Sequence, residues 1–384
     1  MKQHEALLAA YEQARSAGIP CVLATVVHVE GSAYRQAGAR MLVDLHGNMT
    51  GAISGGCLEG DALRKALHAL EQGQNKLVTY DTSDEDDAIV GAQLGCNGVI
   101  QVLFEPIFSD QPDHPVELLQ KAADSGEHQV LTCLFHLSKT LPQPGTRILF
   151  GASGQMQGEW GDQRLLHRLR TDAQEVLDQQ YSQFVRYQTD GPEIRAFLEW
   201  IAPPPLLALI GAGNDAQVLA QMAGLLGWDV CVADGRPSHA NTGRFAGACQ
   251  VIVSKPEQVL EQIPRRTRRA FVLMTHNYPY DLALLRRLLS EPDAAYIGLL
   301  GPRKKYLRML DELAAEGIRL TEEQHARIYA PVGLALGAET PAEIALSILA
   351  EIQAVLAQTP AGHLRERQGP IHDPQRLTFK DVQL

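Results

Sequence analysis

The chain has 384 residues, 45% hydrophobic and 21% charged, the make-up of a globular protein of two or three domains at ~150 residues each. Its formal net charge of −11 argues against non-specific binding to nucleic acid or to an anionic membrane surface, since both need a basic field. The six cysteines (Cys21, Cys57, Cys96, Cys133, Cys231 and Cys249) form no CxxC pair, so neither a disulfide scaffold nor structural zinc is expected.

The start, Met-Lys-Gln-His-Glu, has no apolar core, and no run of ~18 apolar residues follows, so no signal peptide or membrane span is predicted and the cytoplasm is the expected location. Residues 3–17 read as an amphipathic helix ending at Gly18. Cys21 to Val29 reads as a strand. Met41 to Asp44 and Gly51 to Ser54 read as two more, around the turn His46-Gly47-Asn48. Apolar positions 63, 66, 67 and 70 then predict a helix running to about Gly73. Leu77–Tyr80 and Val99–Phe104 are further strands, with the acidic stretch Asp84–Asp87 between them. Gln129–Phe135 and Thr146–Phe150 read as strands, and Asp162–Gln183 as a helix. No internal repeat is apparent.

Pro203-Pro204-Pro205 fits neither a helix interior nor a central strand and marks the junction between domains. Beyond it, Leu206–Ile210, Val230–Ala233, Val251–Val253, Phe271–Met274 and Ala295–Leu300 alternate with helical stretches. That pattern predicts a doubly wound parallel sheet. Thr340, Pro341 and Glu343 start the last helix with a capping box. The expected architecture is an N-terminal α+β domain over 1–202, a Rossmann-like domain over 203–358 and a polar, partly disordered tail over 359–384.

Four groups of residues carry candidate chemistry. Gly55-Gly56-Cys57 stands just ahead of a helix, where backbone N–H groups and the helix dipole attract anions and the thiol offers a soft ligand atom. Ser32, Arg35 and Arg40 lie on a Gly-bearing loop between two strands and suggest an anion site; paired surface arginines are the plainer reading. Cys96, in the turn Gly95-Cys96-Asn97-Gly98, could approach Cys57 around a soft metal or simply be buried. Gly211-Ala212-Gly213-Asn214-Asp215-Ala216 is a G-x-G-x-x-A turn between strand and helix, with Asp234 at the end of the next strand where a ribose would bind. Arg236 is placed to take a phosphate or to pair with Asp234. His276 follows a strand at the ligand-bearing edge of such a sheet, where a capping role fits equally well. The chain lacks G-x-x-x-x-G-K-[ST], G-x-S-x-G and H-E-x-x-H.

Glu30 to Arg35, Gly38 to Val43 and Ile53 to Glu59 resemble the N-terminal domain of the XdhC/CoxI family. Gly211-Ala-Gly213, Thr275 to Tyr278, Gly298 to Lys304 and Ala330 to Pro341 resemble its Rossmann-like domain. The resemblance implies a non-catalytic chaperone that binds the molybdenum cofactor, holds it during sulfuration and delivers it to a xanthine dehydrogenase-type apo-enzyme. A cysteine desulfurase would be the sulfur donor, and a homodimer the working form. On this reading Ser32, Arg35, Arg40, Gly55, Gly56, Cys57, Glu59 and Cys96 hold the cofactor, with Cys57 a contact for molybdenum. The second cysteine turn departs from the family's Gly-Cys-Gly-Gly at Asn97, and Asn214 stands where the family often has histidine. Two other functions remain open: an NAD(P)-dependent oxidoreductase using Gly211, Gly213, Asp234 and His276, and an interaction module without ligands.

Overall fold

Cys21–Gly31 (β1) is apolar at nearly every position because both of its faces are covered. The computed structural model describes residues 2–31, 35–81, 98–108, 111–138, 140–366, 368 and 379–384. The chain divides into two compact units. One is formed by 3–202 with 369–384, the other mainly by 203–368.

The first unit opens with helix Lys2–Ser16 (α1). β1 then pairs antiparallel with Arg40–Asp44 (β2), which pairs with Met49–Gly51 (β3). Glu59–Gln72 (α2) leads into Lys76–Asp81 (β4) and Gly98–Ile107 (β5), giving a sheet of order β3-β2-β1-β5-β4. The same sequence of elements follows again: Pro115–Asp124 (α3), Gln129–Phe135 (β6), Gly145–Gly151 (β7), Met156–Gln157 (β8), Gln163–Gln179 (α4), Gln183–Gln188 (β9) and Ile194–Ile201 (β10). Their sheet has the matching order β8-β7-β6-β10-β9, extended beyond β9 by Phe379–Gln383 (β17).

The first unit is therefore an internal duplication, contrary to the expectation of no repeat. Gly38, Arg40, Leu42, Gly47, Met49 and Gly51 recur at one constant offset as Gly145, Arg147, Leu149, Gly154, Met156 and Gly158. The same offset relates Val78 and Tyr80 to Val185 and Tyr187.

Each half covers the outer face of its sheet with its own helix. Ala62, Ala66 and Ala69 of α2 pack on Val22, Ala24 and Val102, while Leu169, Ala173 and Val176 of α4 pack on Val130, Ile148 and Ala196. The inner faces meet through Val27, Leu103, Cys133, Phe135 and Phe197. Two carboxylates cross this layer reciprocally. Glu199 of β10 receives Arg40 Nη1 at 3.0 Å and its second guanidinium nitrogen as well. Glu105 of β5 receives the Thr146 N–H at 2.6 Å and its hydroxyl at 2.9 Å. Gly38 and Gly145 share a left-handed φ of about 90° (89° and 90°), and a Cβ on either would stand 2.7 or 2.6 Å from the crossing carboxylate. The segment read as a polar tail ends in β17, whose Val382 is buried in the second half's core.

The second unit is built from Leu206–Ile210 (β11), Asn214–Leu225 (α5), Asp229–Asp234 (β12), Gln250–Val253 (β13), Val259–Gln262 (α6), Arg269–Leu273 (β14), Tyr278–Leu288 (α7), Ala294–Leu299 (β15), Arg303–Ala315 (α8), Glu322–Ala326 (α9), Ile328–Tyr329 (β16) and Pro341–Leu356 (α10). Every pairing is parallel, and the order β13-β12-β11-β14-β15-β16 is that of a Rossmann fold. α5 and α10 cover one face, α7 and α8 the other. The expected fold class, an α+β region followed by a parallel Rossmann-like sheet, is the one observed.

Candidate functional site

The direction of each strand brings three connections to one end of the first sheet. β1 ends there at Gly31, opposite Gly98, and β2 starts there. β3 ends there at Gly51 opposite Met41, and β4 at Asp81 opposite Val99. The connections 31–40, 51–59 and 81–98 therefore share that end.

Ser54 frames the middle connection. Its N–H and hydroxyl donate to the Glu59 carboxylate at 2.9 and 2.5 Å, and its hydroxyl accepts from the N–H groups of Gly56 and Leu58, both at 3.1 Å. Burial alone would raise the Glu59 pKa; the bonds from Ser54 hold it below the ordinary glutamate value. Arg35 donates from Nε to the Ser54 carbonyl at 3.3 Å, joining the first connection to the second. Cys57 Sγ lies 3.6 Å from Ser54 Oγ and is half-buried.

This frame leaves donors over. Among the described residues, the N–H groups of Gly55 and Cys57 and the outer nitrogens of Arg35 form no hydrogen bond. An anionic group can be met there by backbone donors at a helix N-terminus, a guanidinium and a thiol. The two halves differ at this spot. By their common offset, Glu59 corresponds to Leu166, yet α4 already begins at Gln163, capped by Asp162. Where the second half has a first helical turn, the first half has Gly56-Cys57-Leu58. Likewise the connection between Asp81 and Gly98 replaces the short one between Gln188 and Ile194.

Arg40, expected at an anion site, begins β2 at this same end, but its side chain turns between the sheets to Glu199. It is 2% exposed and locked to Glu199 between the sheets, so its charge is already matched. Ser32 and Cys96 lie outside the described residues. Among the described residues, no three His, Cys, Asp or Glu side chains gather as a metal site.

In the second unit Gly211, with φ of 118°, packs so closely on Met274 and Thr275 that a Cβ would stand 2.5 Å from the Met274 carbonyl. Gly213 is the N-cap of α5. Asp234, expected to take a ribose, is committed instead. It accepts the Ala212 N–H at 2.8 Å and the Arg236 guanidinium at 3.0 and 2.8 Å. Burial would raise its pKa, but Arg236 and the Ala212 N–H bring it below the usual aspartate value. Arg244 occupies the same turn, donating to the Ala212 carbonyl, Asn214 and Gln217. A ribose hydroxyl would have to displace Arg236, which removes the main support for NAD(P). His276 is exposed, with a left-handed φ of 55°. Beside it, a network that the motifs alone did not reveal joins Thr275 and Lys305 to the buried Asp281 at 2.6 and 2.7 Å. Its sequence signal is the Thr-His-Asn turn together with the Gly-Pro-Arg-Lys-Lys helix start.

Residues 14–81 match the family described as XdhC and CoxI, and residues 207–352 match the XdhC Rossmann domain. A Bacillus subtilis (strain 168) protein named as a probable subunit of xanthine dehydrogenase is 34% identical over 86% of this chain and 92% of its own. The Escherichia coli (strain K12) molybdenum cofactor insertion chaperone PaoD is 26% identical over 92% of this chain and 88% of its own. A crystal structure described as a xanthine dehydrogenase from Bacillus halodurans aligns with a TM-score of 0.72 at 29% identity, covering 91% of this chain and 96% of that one. With both units matched and a relative this similar along most of its length, the chain belongs to the XdhC and CoxI family.

Proposed function

We propose that this protein is a maturation factor for a xanthine dehydrogenase-type molybdoenzyme. It binds the molybdenum cofactor as cargo, holds it while sulfur supplied by a cysteine desulfurase is installed, and passes it to the apo-enzyme. Family membership and the named activity of PaoD support the cofactor-handling part. The observation that carries the location is the asymmetry of the duplication: one half keeps a plain helix start, and the other opens it into a thiol and N–H groups that have no partner among the described residues.

In this reading Gly55, Gly56 and Cys57 meet the anionic part of the cargo with their backbone. Arg35 adds a charge-assisted bond, and the Cys57 thiol faces the metal. Glu59 acts by fixing Ser54. Ser32 and Cys96 are assigned to the same site through the connections they sit on. A homodimer is the proposed working form, and the cytoplasm its location; among the described residues no helix is long and apolar enough to cross a membrane.

The test is retention of molybdenum and pterin after gel filtration of the purified protein mixed with molybdenum cofactor. Near-stoichiometric retention is expected, with at least a tenfold weaker hold in Cys57→Ala, about 1.4 kcal/mol. A folded wild-type protein that retains neither would overturn the proposal.

A further inference from the structure

The second half of the first unit does not end at β9. β17 lies parallel along it, with Phe379 opposite Phe184 and Lys380 opposite Val185. The Phe379 ring packs 4.6 Å from His28 and 5.6 Å from Phe184. Lys380 Nζ reaches the helix behind, 3.0 Å from Asp172 and 2.6 Å from Glu175.

The equivalent strand of the first half is β4, and among the described residues the sheet stops there. The two strands are alike, Lys76-Leu-Val-Thr-Tyr-Asp81 against Gln183-Phe-Val-Arg-Tyr-Gln188. An edge strand turns every second N–H and C=O outward, so β4 offers the ladder that β9 gives to β17. The helix positions that meet the added strand differ in charge between the halves. The position of Asp172 is Lys65 in α2, and that of Glu175 is His68. The Lys65 side chain is half-buried and makes no hydrogen bond or ion pair among the described residues. Lys76, at the start of β4, has no ionic partner there either. His68 lies 3.7 Å from Glu71. Asp61, one turn earlier, is tied to Arg64 and Tyr80, both at 3.0 Å.

We propose that the β4 edge accepts an extended segment of a partner protein by strand addition, as β9 accepts β17. The segment places an apolar side chain opposite Leu77 and an acidic one opposite Val78, where its carboxylate pairs with Lys65. Charge decides against the C-terminal strand of a second copy, because Lys380 would then face Lys65. The edge ends at Asp81, beside the three connections of the candidate site, so a seated partner lies next to the cargo. The inference does not depend on what that cargo is.

Amide hydrogen exchange on the full-length protein tests this with two peptides of sequence Leu377–Leu384, one natural and one carrying Lys380→Glu. The Glu peptide is expected to slow alternate amides of Lys76–Tyr80 at least tenfold, and the natural peptide to leave them unchanged. In Lys65→Glu protein the preference should reverse; in the milder Lys65→Met it should vanish. Three results would each overturn the proposal: β4 amides already slow without peptide, no slowing by either peptide, or slowing that ignores residue 65.

Discussion

Arg40 and Asp234 show how a charged side chain is spent before a ligand arrives. Arg40 neutralises Glu199 in the layer between two sheets, where removing one partner strands the other. Arg40→Met should therefore cost about 3–5 kcal/mol in urea unfolding. The double variant with Glu199→Met should recover most of that loss, and its cargo retention should match wild type. Asp234 makes a prediction about acid. Its folded pKa lies below the ordinary 3.8, so its stabilising contribution is complete above that value and fades as pH falls through the lower, folded one. Arg236→Ala removes the guanidinium that depresses it. The variant should melt lower than wild type by a constant amount near neutrality, and the gap should narrow as pH falls below 3.8, because only wild type has that contribution to lose.

At the level of elements, the two halves of the first unit supply each other's controls. Replacing Ala52–Leu58 by the corresponding Glu159–Leu165 restores a plain helix start on an equivalent scaffold. The chimera is expected to fold with an unchanged far-UV spectrum and to lose molybdenum retention. Retention equal to wild type would place the cargo elsewhere. How much of this was legible in the sequence depended on the kind of packing. The Rossmann strands were readable because parallel strands buried on both faces are continuous apolar runs, as in Leu206–Ile210. β9 and β10 were missed, since Gln183-Phe-Val-Arg-Tyr-Gln188 mixes polar residues into a strand that another strand later covers. The duplication is hard to see in the sequence because its repeated residues are few and set among unlike neighbours, and because the long connection after Asp81 breaks the common offset. The Gly-Gly-Cys turn is legible as a helix approach, since α2 starts two residues after Cys57. Arg40 misled, because an arginine on a glycine-bearing loop looks solvated until its partner, Glu199, is brought in from another sheet.

Across the whole molecule the chain leaves the first unit at Ala202, builds the second, and returns for β17. Deleting 369–384 removes Phe379 from its aromatic contacts and Lys380 from Asp172, leaving Asp172 to Arg168 and Tyr187. Calorimetry of that truncation should show the first unit melting several degrees lower, at about 2–4 °C per kcal/mol, with the transition of the second unit unmoved. Equal shifts in both transitions would mean that the two units unfold as one.

The placement of β17 also sets a timetable. The residues that close the edge of β9 leave the ribosome only after the whole second unit has been made. During synthesis Phe184 and the carboxylates of Asp172 and Glu175 wait without their final neighbours, and β9 has yet to receive the strand that covers its edge. The N-terminal unit is thus finished only after the second unit has been made, so a premature stop anywhere within the second unit will leave the edge of β9 uncovered.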